Sequence, residues 1–388
     1  TGPAFLSAGF RVFFPAAALW AVLSVALWVA ILTGVTDINS RFDPATWHAH
    51  AFLYGYLGAV LSGFVLTAMP NWTGRAPLSG APLLGLFALW LVARGAHLVS
   101  AAISPLPLVL IDLSLPLLLI LYALREIAAA RHWRALPVIV LIAIFAASDV
   151  IFHLEAERFG YAAQGLGVRI GLATILMLIA LIGGRIIPTF TRNWLTKTGA
   201  EDLPVPAMQR FDLIALAVLA AVLLSWVIAP SAVVTAILLI FAGVVHLARL
   251  ARWQGYRVLR EPLMWVLHAG YLWLPLGAWA MALQILAPDS ITPAAAQHVW
   301  MAGAIGLMTL AVMTRAVLGH TGRPLHAGQG TVALYGLVIF SVLSRVSAVL
   351  LPDIESVLLS ASGMTWLASF ALFFVLYTPA CLSRRRSE

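Results

Sequence analysis

Residues 47–80 read WHAHAFLYGYLGAVLSGFVLTAMPNWTGRAPLSG, and the fold follows from how that stretch is built. Two histidines, His48 and His50, stand at the mouth of a long run of apolar or small residues, and a polar turn, PNWTGRAPLSG, closes it. A helix needs roughly 20 such residues to cross the hydrocarbon core of a bilayer. Ionisable groups at the rim of such a helix are costly unless they are paired or used. His48 and His50 are two apart, so on a regular helix they point to nearly opposite sides. Either they serve different neighbours or the entry to this helix is extended. Trp47 beside them fits an interfacial anchor.

The whole chain shares this character. Of its 388 residues 62% are hydrophobic and 10% charged, with a mean hydropathy of +0.98. A soluble domain is about 25% charged, so most of this chain belongs in lipid. The net charge of +8 is what basic cytoplasmic loops produce, and nucleic acid is not needed to explain it. The single cysteine, Cys381, excludes an intramolecular disulfide framework and a thiolate metal cluster. Ten histidines and nine methionines remain as possible metal ligands.

Apolar segments of spanning length recur at 10–33, 46–69, 82–103, 105–125, 134–153, 165–190, 210–229, 231–249, 262–286, 294–318, 331–350 and 355–379. They predict an all-α integral membrane protein of about twelve helices, a single polytopic domain over 1–388. Only helices and closed barrels satisfy the backbone in lipid, and the alternating strands of a barrel are absent. The first segment is itself long enough to span and is expected to stay as a helix, not to be a cleaved leader. Loops after even-numbered segments carry the arginines and lysine, among them Arg75, Arg125, Arg131, Arg134, Arg192, Lys197 and Arg210, and finally Arg384, Arg385 and Arg386. Loops after odd-numbered segments are mostly acidic, with Asp37, Asp43, Glu155, Glu157, Asp289, Asp353 and Glu355. That asymmetry predicts both termini on the cytoplasmic side.

An internal repeat is also expected. A shift of 248 residues lays His50 on His298, Gly55 on Gly303, Gly58 on Gly306, Ala68 on Ala316 and Thr73-Gly74-Arg75 on Thr321-Gly322-Arg323. The repeat-like units are 46–80 and 294–328, on the second and tenth helices. Half the shift reaches the sixth helix, which ends in IPTFTRNW, so the twelve helices also read as three units of four.

With orientation set, His48, His50, His153 and His298 fall near the periplasmic side, and the same outer half holds His97, Arg94, Asp112, Asp149, Arg169 and Arg345. Asp149 and His153, four apart, share a helix face, where a carboxylate can orient a metal-ligating imidazole. A helix-end pair meeting headgroups and water is the alternative. The outer arginines outnumber the carboxylates beside them. The propionates of a haem would supply the missing anions, because guanidinium binds carboxylate bidentately, and headgroup phosphate would serve as well. Histidines on facing helices suit haem iron, and imidazole suits copper. No CxxCH is present, so any haem is non-covalent. On the inner side, His268 sits two turns into its helix as a second ligand site or a packed core residue, while His246, His320 and His326 lie near cytoplasmic turns. A phosphate-cradling glycine motif, HExxH and a serine nucleophile elbow are all missing.

At WHAH, PNWTGRAPLSG, GGRIIPTFTRNW, REPLMWVLHAGYLWLPLG and GLMTLAVMTRAVLGHTGRPLHAG the sequence resembles the NnrS family of bacterial membrane proteins, over nearly its whole length. The resemblance implies a multi-pass inner-membrane protein that holds haem b and copper and handles nitric oxide under nitrosative stress. It carries over to His48, His50, His153, His246, His268, His298 and His320, not to His97 or His326. The family usually has an acid after WHAH, where this chain has Ala51. The twelve helices, with histidines on the second and tenth, are similar in plan to haem–copper oxidase catalytic subunits, whose own histidine motifs are absent. The resulting expectation is haem between His50 and His298, with Arg169 and Arg345 at its propionates. His48, His50, His153, His268 and His298 are the candidate metal ligands, and copper is the second metal. Nitric oxide is the expected ligand and lipid the surroundings; nucleic acid is not a partner, and no electron donor is indicated. A non-catalytic sensor or metal-delivery protein and a polytopic transporter are the competing readings.

Overall fold

The computed structural model describes residues 3–385, so Arg386 of the basic terminal run lies outside the described residues. Among the described residues there are twelve helices long and apolar enough to cross a membrane, and no strand. They are α1 (Gly9–Leu32), α2 (Pro44–Thr73), α3 (Ala81–Leu98), α4 (Pro105–Ala130), α5 (Trp133–Phe159), α6 (Leu166–Lys197), α7 (Arg210–Ile228), α8 (Val233–Ala251), α9 (Pro262–Leu286), α10 (Pro293–His320), α11 (Gln329–Leu350) and α12 (Pro352–Leu382). Each expected segment is therefore a helix. The ends differ where polar side chains prolong a helix beyond its apolar run, as in α6, or where the helix stops early, so that α3 ends at Leu98 and a 3-10 turn over Ser100–Ala102 leads to Ser104 and Pro105 at the start of α4.

The ends have local causes. Asp43 caps α2 by accepting from the amides of Ala45 and Thr46 at 3.0 and 3.2 Å, with Pro44 following at the first helical position. Thr292 and Pro293 do the same for α10, Thr292 accepting from the Ala295 amide at 3.2 Å. Both helices close on a glycine in the left-handed region, Gly74 at φ 69° and Gly322 at φ 67°, one residue after a threonine that bonds back to the carbonyl four before it. Both also widen into a π-helix directly after their histidine, over Ala51–Tyr56 in α2 and Val299–Leu307 in α10. Such segments are rare and concentrate at functional sites.

The chain forms two compact units. The first takes α1 to α5 and the start of α6 to Thr174, with Ala316–Arg323 and the described chain from Phe370 to Arg385. Within it α1 packs on α2, α2 on α4, α3 on α4 and α4 on α5. Arg11, buried in α1, donates to the carbonyls of Cys381 and Ser383 at 2.8 and 2.5 Å and so satisfies the C-terminal end of α12. The second unit takes Ile175–Arg315 and Pro324–Ser369. Its core is α9, packed on α8 and on the π-helical part of α10.

Candidate metal centre

The capped entry of α2 keeps WHAH helical, so its two histidines part company. His48 stacks on Trp28 with ring centroids 4.6 Å apart. His50 turns inward and is only 1% exposed. The π-helical turn after it exposes carbonyls that a regular ladder would cover. The indoles of Trp20 and Trp90 donate to the Ala51 and Gly55 carbonyls, each at 2.9 Å. Ala51, where the resemblance expects an acid, therefore contributes through its backbone.

Three other helices of the first unit bring their polar groups to His50. His50 Nε2 lies 3.2 Å from Asp149 Oδ1 on α5 and 3.3 Å from Asp112 Oδ2 on α4. His153 Nε2, on α5, lies 3.0 Å from the same Asp112 oxygen and 3.7 Å from Asp149 Oδ1. His97 Nε2, on α3, hydrogen-bonds Asp112 Oδ2, and its ring stacks on that of His50 at 3.8 Å. One turn earlier on α3, Arg94 Nη2 donates to Asp112 Oδ1 at 2.8 Å. Phe42 and Phe152 close over the imidazoles with centroids 5.3–6.1 Å away. The expected i, i+4 pairing of Asp149 with His153 is present, and it is Nε2 that faces the carboxylate.

This donor set suits a cation. One ligand atom from each of His50, His97, Asp112 and His153 lies within 4.8 Å of the others, and all four residues are buried. Asp112 Oδ2 is approached by three imidazole nitrogens, more than the lone pairs of one carboxylate oxygen can serve well. Three imidazoles and a carboxylate converging on one point are instead a ready shell for copper, zinc or iron. Arg94 neutralises the far oxygen of Asp112 and fixes the carboxylate plane. Pro116 stands four residues after Asp112 in α4 and has no N–H for the Asp112 carbonyl, so the helix is locally relaxed at the ligand.

The sequence matches the family described as NnrS protein over residues 4–385. The chain belongs to the NnrS family. Membership supports a membrane protein related to nitric oxide, and a search of curated proteins finds no match. Of the histidines in the NnrS motifs, His50 and His153 join this group. His298 lies in the second unit, half-buried, with Nδ1 2.6 Å from the Ala294 carbonyl. A carbonyl only accepts, so Nδ1 carries the proton and Nε2 keeps its lone pair. Arg345, also half-buried, is within electrostatic reach of His298. His268 Nε2 meets the Thr191 hydroxyl at 2.9 Å in the core of the second unit. His320 lies against Phe10, and His326 is exposed. Arg169 donates to the Gln164 carbonyl at 2.9 Å.

His246, read from sequence as a helix-end residue, is fully buried in a network of the second unit. It bonds the Tyr271 hydroxyl through Nδ1 at 2.8 Å and approaches the Ala215 carbonyl through Nε2 at 3.1 Å. Arg249 donates to Asp212 at 2.7 Å, and to the Tyr271 hydroxyl and the Ala180 carbonyl at 2.9 Å. Two residues of the group, His97 and Asp112, were visible in the sequence only as ionisable groups at the right depth. The available signals were Arg94 and His97 at i, i+3 on one helix and a lone acid in the middle of an apolar one.

Proposed function

We propose that this NnrS protein is an inner-membrane metalloprotein that binds nitric oxide at a copper ion held by His50, His97, Asp112 and His153, in the periplasmic half of the bundle, with both termini cytoplasmic. The observation that carries the reading is the convergence of those four buried side chains inside spanning helices, with ligand atoms within 4.8 Å of one another. Intramembrane ionisable groups persist where they are paired or used, and a neutral diatomic reaches such a site through lipid. Copper held there would supply a redox-active ion able to bind nitric oxide. The chain's own residues do the rest. Asp149 sets a second carboxylate beside His50 Nε2, Arg94 holds Asp112 in place, and Phe42 and Phe152 keep the imidazoles dry.

A haem b belongs to the same proposal at a different histidine. His298, its tautomer set by Ala294, would hold the iron of a haem, and Arg345 nearby would offer a guanidinium to a propionate. The test is metal analysis with optical and EPR spectra of the purified protein, before and after nitric oxide under reduction. Stoichiometric copper whose EPR signal is lost or altered on nitric oxide addition is expected; protein free of copper and haem refutes the reading. Turnover of nitric oxide with an added reductant separates an enzyme from a sensor.

A further inference from the structure

Beside Asp112 the first unit holds a small, partly open cavity of about 30 Å³. Most of its wall is carbon: Leu61, Leu115, Leu119, Ile142, Phe145 and Ala146. The polar part comes from Tyr54, Ser62, Arg94, Asp112 and Asp149. Tyr54 and Ser62 are already engaged, Tyr54 with the Ser148 hydroxyl at 3.1 Å and the Gly167 carbonyl at 3.2 Å, Ser62 with the Gly58 carbonyl at 2.7 Å. Arg94 is not fully engaged. Its Nη2 serves Asp112, but Nε and Nη1 are buried and have no hydrogen-bond partner, on a side chain only 7% exposed. The space for Nη1 depends on a missing side chain in α2, because a Cβ on Gly55 would stand 3.0 Å from it.

We infer that this cavity seats one neutral ligand of two or three heavy atoms bearing a hydrogen-bond acceptor, and that Arg94 orients it by donating from Nε or Nη1. This rests on the reading of the neighbouring side chains as a metal centre. Size sets the upper limit on the occupant. Charge sets its class: two carboxylates in the wall oppose an anion, and the guanidinium opposes a cation. A buried donor without a partner is destabilising, and an acceptor in the cavity relieves part of that cost. Leu61 and Pro116, partly exposed on the membrane-spanning surface, give an apolar molecule a way in from the hydrocarbon. Selectivity for a small neutral acceptor would then come from the cavity and Arg94, and not from the metal alone.

The test uses the full chain loaded with copper and reduced, with carbon monoxide and the methyl and ethyl isocyanides as probes. Ala146→Leu fills the cavity and is expected to keep its copper while losing roughly tenfold or more in carbon monoxide affinity. Phe145→Ala enlarges it and is expected to admit ethyl isocyanide where the natural chain prefers the methyl compound. Arg94→Lys keeps the positive charge near Asp112 but loses the planar donors, and is expected to shift the carbon monoxide stretching frequency. Unchanged affinity, size preference and frequency in copper-containing variants overturn the inference while leaving the metal centre standing. A natural chain that takes up no metal overturns the reading beneath it, and the inference falls with it.

Discussion

Replacing Asp112 by asparagine separates the two roles assigned to that residue. In the metal-free protein Asp112 is the counter-ion of Arg94, 2.8 Å away on a pair of side chains 1% and 7% exposed. Removing one partner of a buried ion pair strands the other charge and costs about 3–5 kcal/mol. In the proposed metal-bound form Asp112 would also be the one carboxylate among the four ligands. Disturbing even an outer partner of a metal ligand costs roughly 10–100-fold in affinity, so loss of this ligand is expected to cost at least about 100-fold. At a metal concentration a hundredfold above the dissociation constant, binding stabilises the natural chain by about 2.7 kcal/mol; after a 100-fold loss of affinity the same concentration gives about 0.4 kcal/mol. Unfolding of the detergent-solubilised protein, with and without copper, therefore yields two numbers: a loss of about 3–5 kcal/mol without metal, and a further loss of about 2.3 kcal/mol in the copper-induced gain. An equal copper-induced gain in both proteins would refute the ligand role. An unchanged metal-free stability would refute the ion pair.

Three further outcomes follow from the same structure. Asp212→Asn leaves the fully buried Arg249 without its counter-ion and is expected to cost about 3–5 kcal/mol, much of it restored in the double variant with Arg249→Met, as read by denaturant midpoints. Gly55→Val forces a Cβ to within 2.6 Å of Trp20 Nε1 and is expected to lower stability by about 1–3 kcal/mol, whereas Gly58→Ala, with nothing within 4 Å of its Cβ, is expected to be neutral or better. His97→Ala is expected to abolish copper retention and His48→Ala to preserve it, since only His97 joins the group and His48 stacks on Trp28; metal content of the two purified variants decides this.

Much of the fold was legible because lipid leaves few choices. Twelve apolar runs had to become helices, and caps such as Asp43-Pro44 and the Thr-Gly-Arg closures are written locally. The centre was legible only in part. Depth placed His50, His97, Asp112, Asp149 and His153 in one layer, and the i, i+4 spacing paired Asp149 with His153. Which of the many outer-half groups would meet depended on how α2, α3, α4 and α5 rotate about their axes, which sequence spacing within single helices does not encode. His97 lies outside the family motifs, so neither spacing nor resemblance selected it. The π-helical turn after His50 was not legible at all. It depends on long-range donors, the indoles of Trp20 and Trp90, reaching carbonyls of α2 from other helices.

The backbone of α10 repeats the device of α2 without its acids. In each helix a capped turn ends at a histidine and the helix widens at the next residue. A glycine five residues on then lies against a tryptophan, Gly55 on Trp20 and Gly303 on Trp273, where a Cβ would come within 2.6 and 2.8 Å. The surroundings differ in sign. His50 faces two carboxylates, which draw a cation to the imidazole. His298 has its Nδ1 proton on the Ala294 carbonyl and a guanidinium, Arg345, as its charged neighbour, which favours a group that brings its own carboxylates. The two histidines should therefore serve different groups. His298→Ala is expected to lower haem content and leave copper at His50 intact, and His50→Ala to do the reverse, with haem read from the optical spectrum and copper by elemental analysis of the same samples. Loss of haem in both variants would mean that His50 also serves the haem, and the separation of roles by local charge would be wrong.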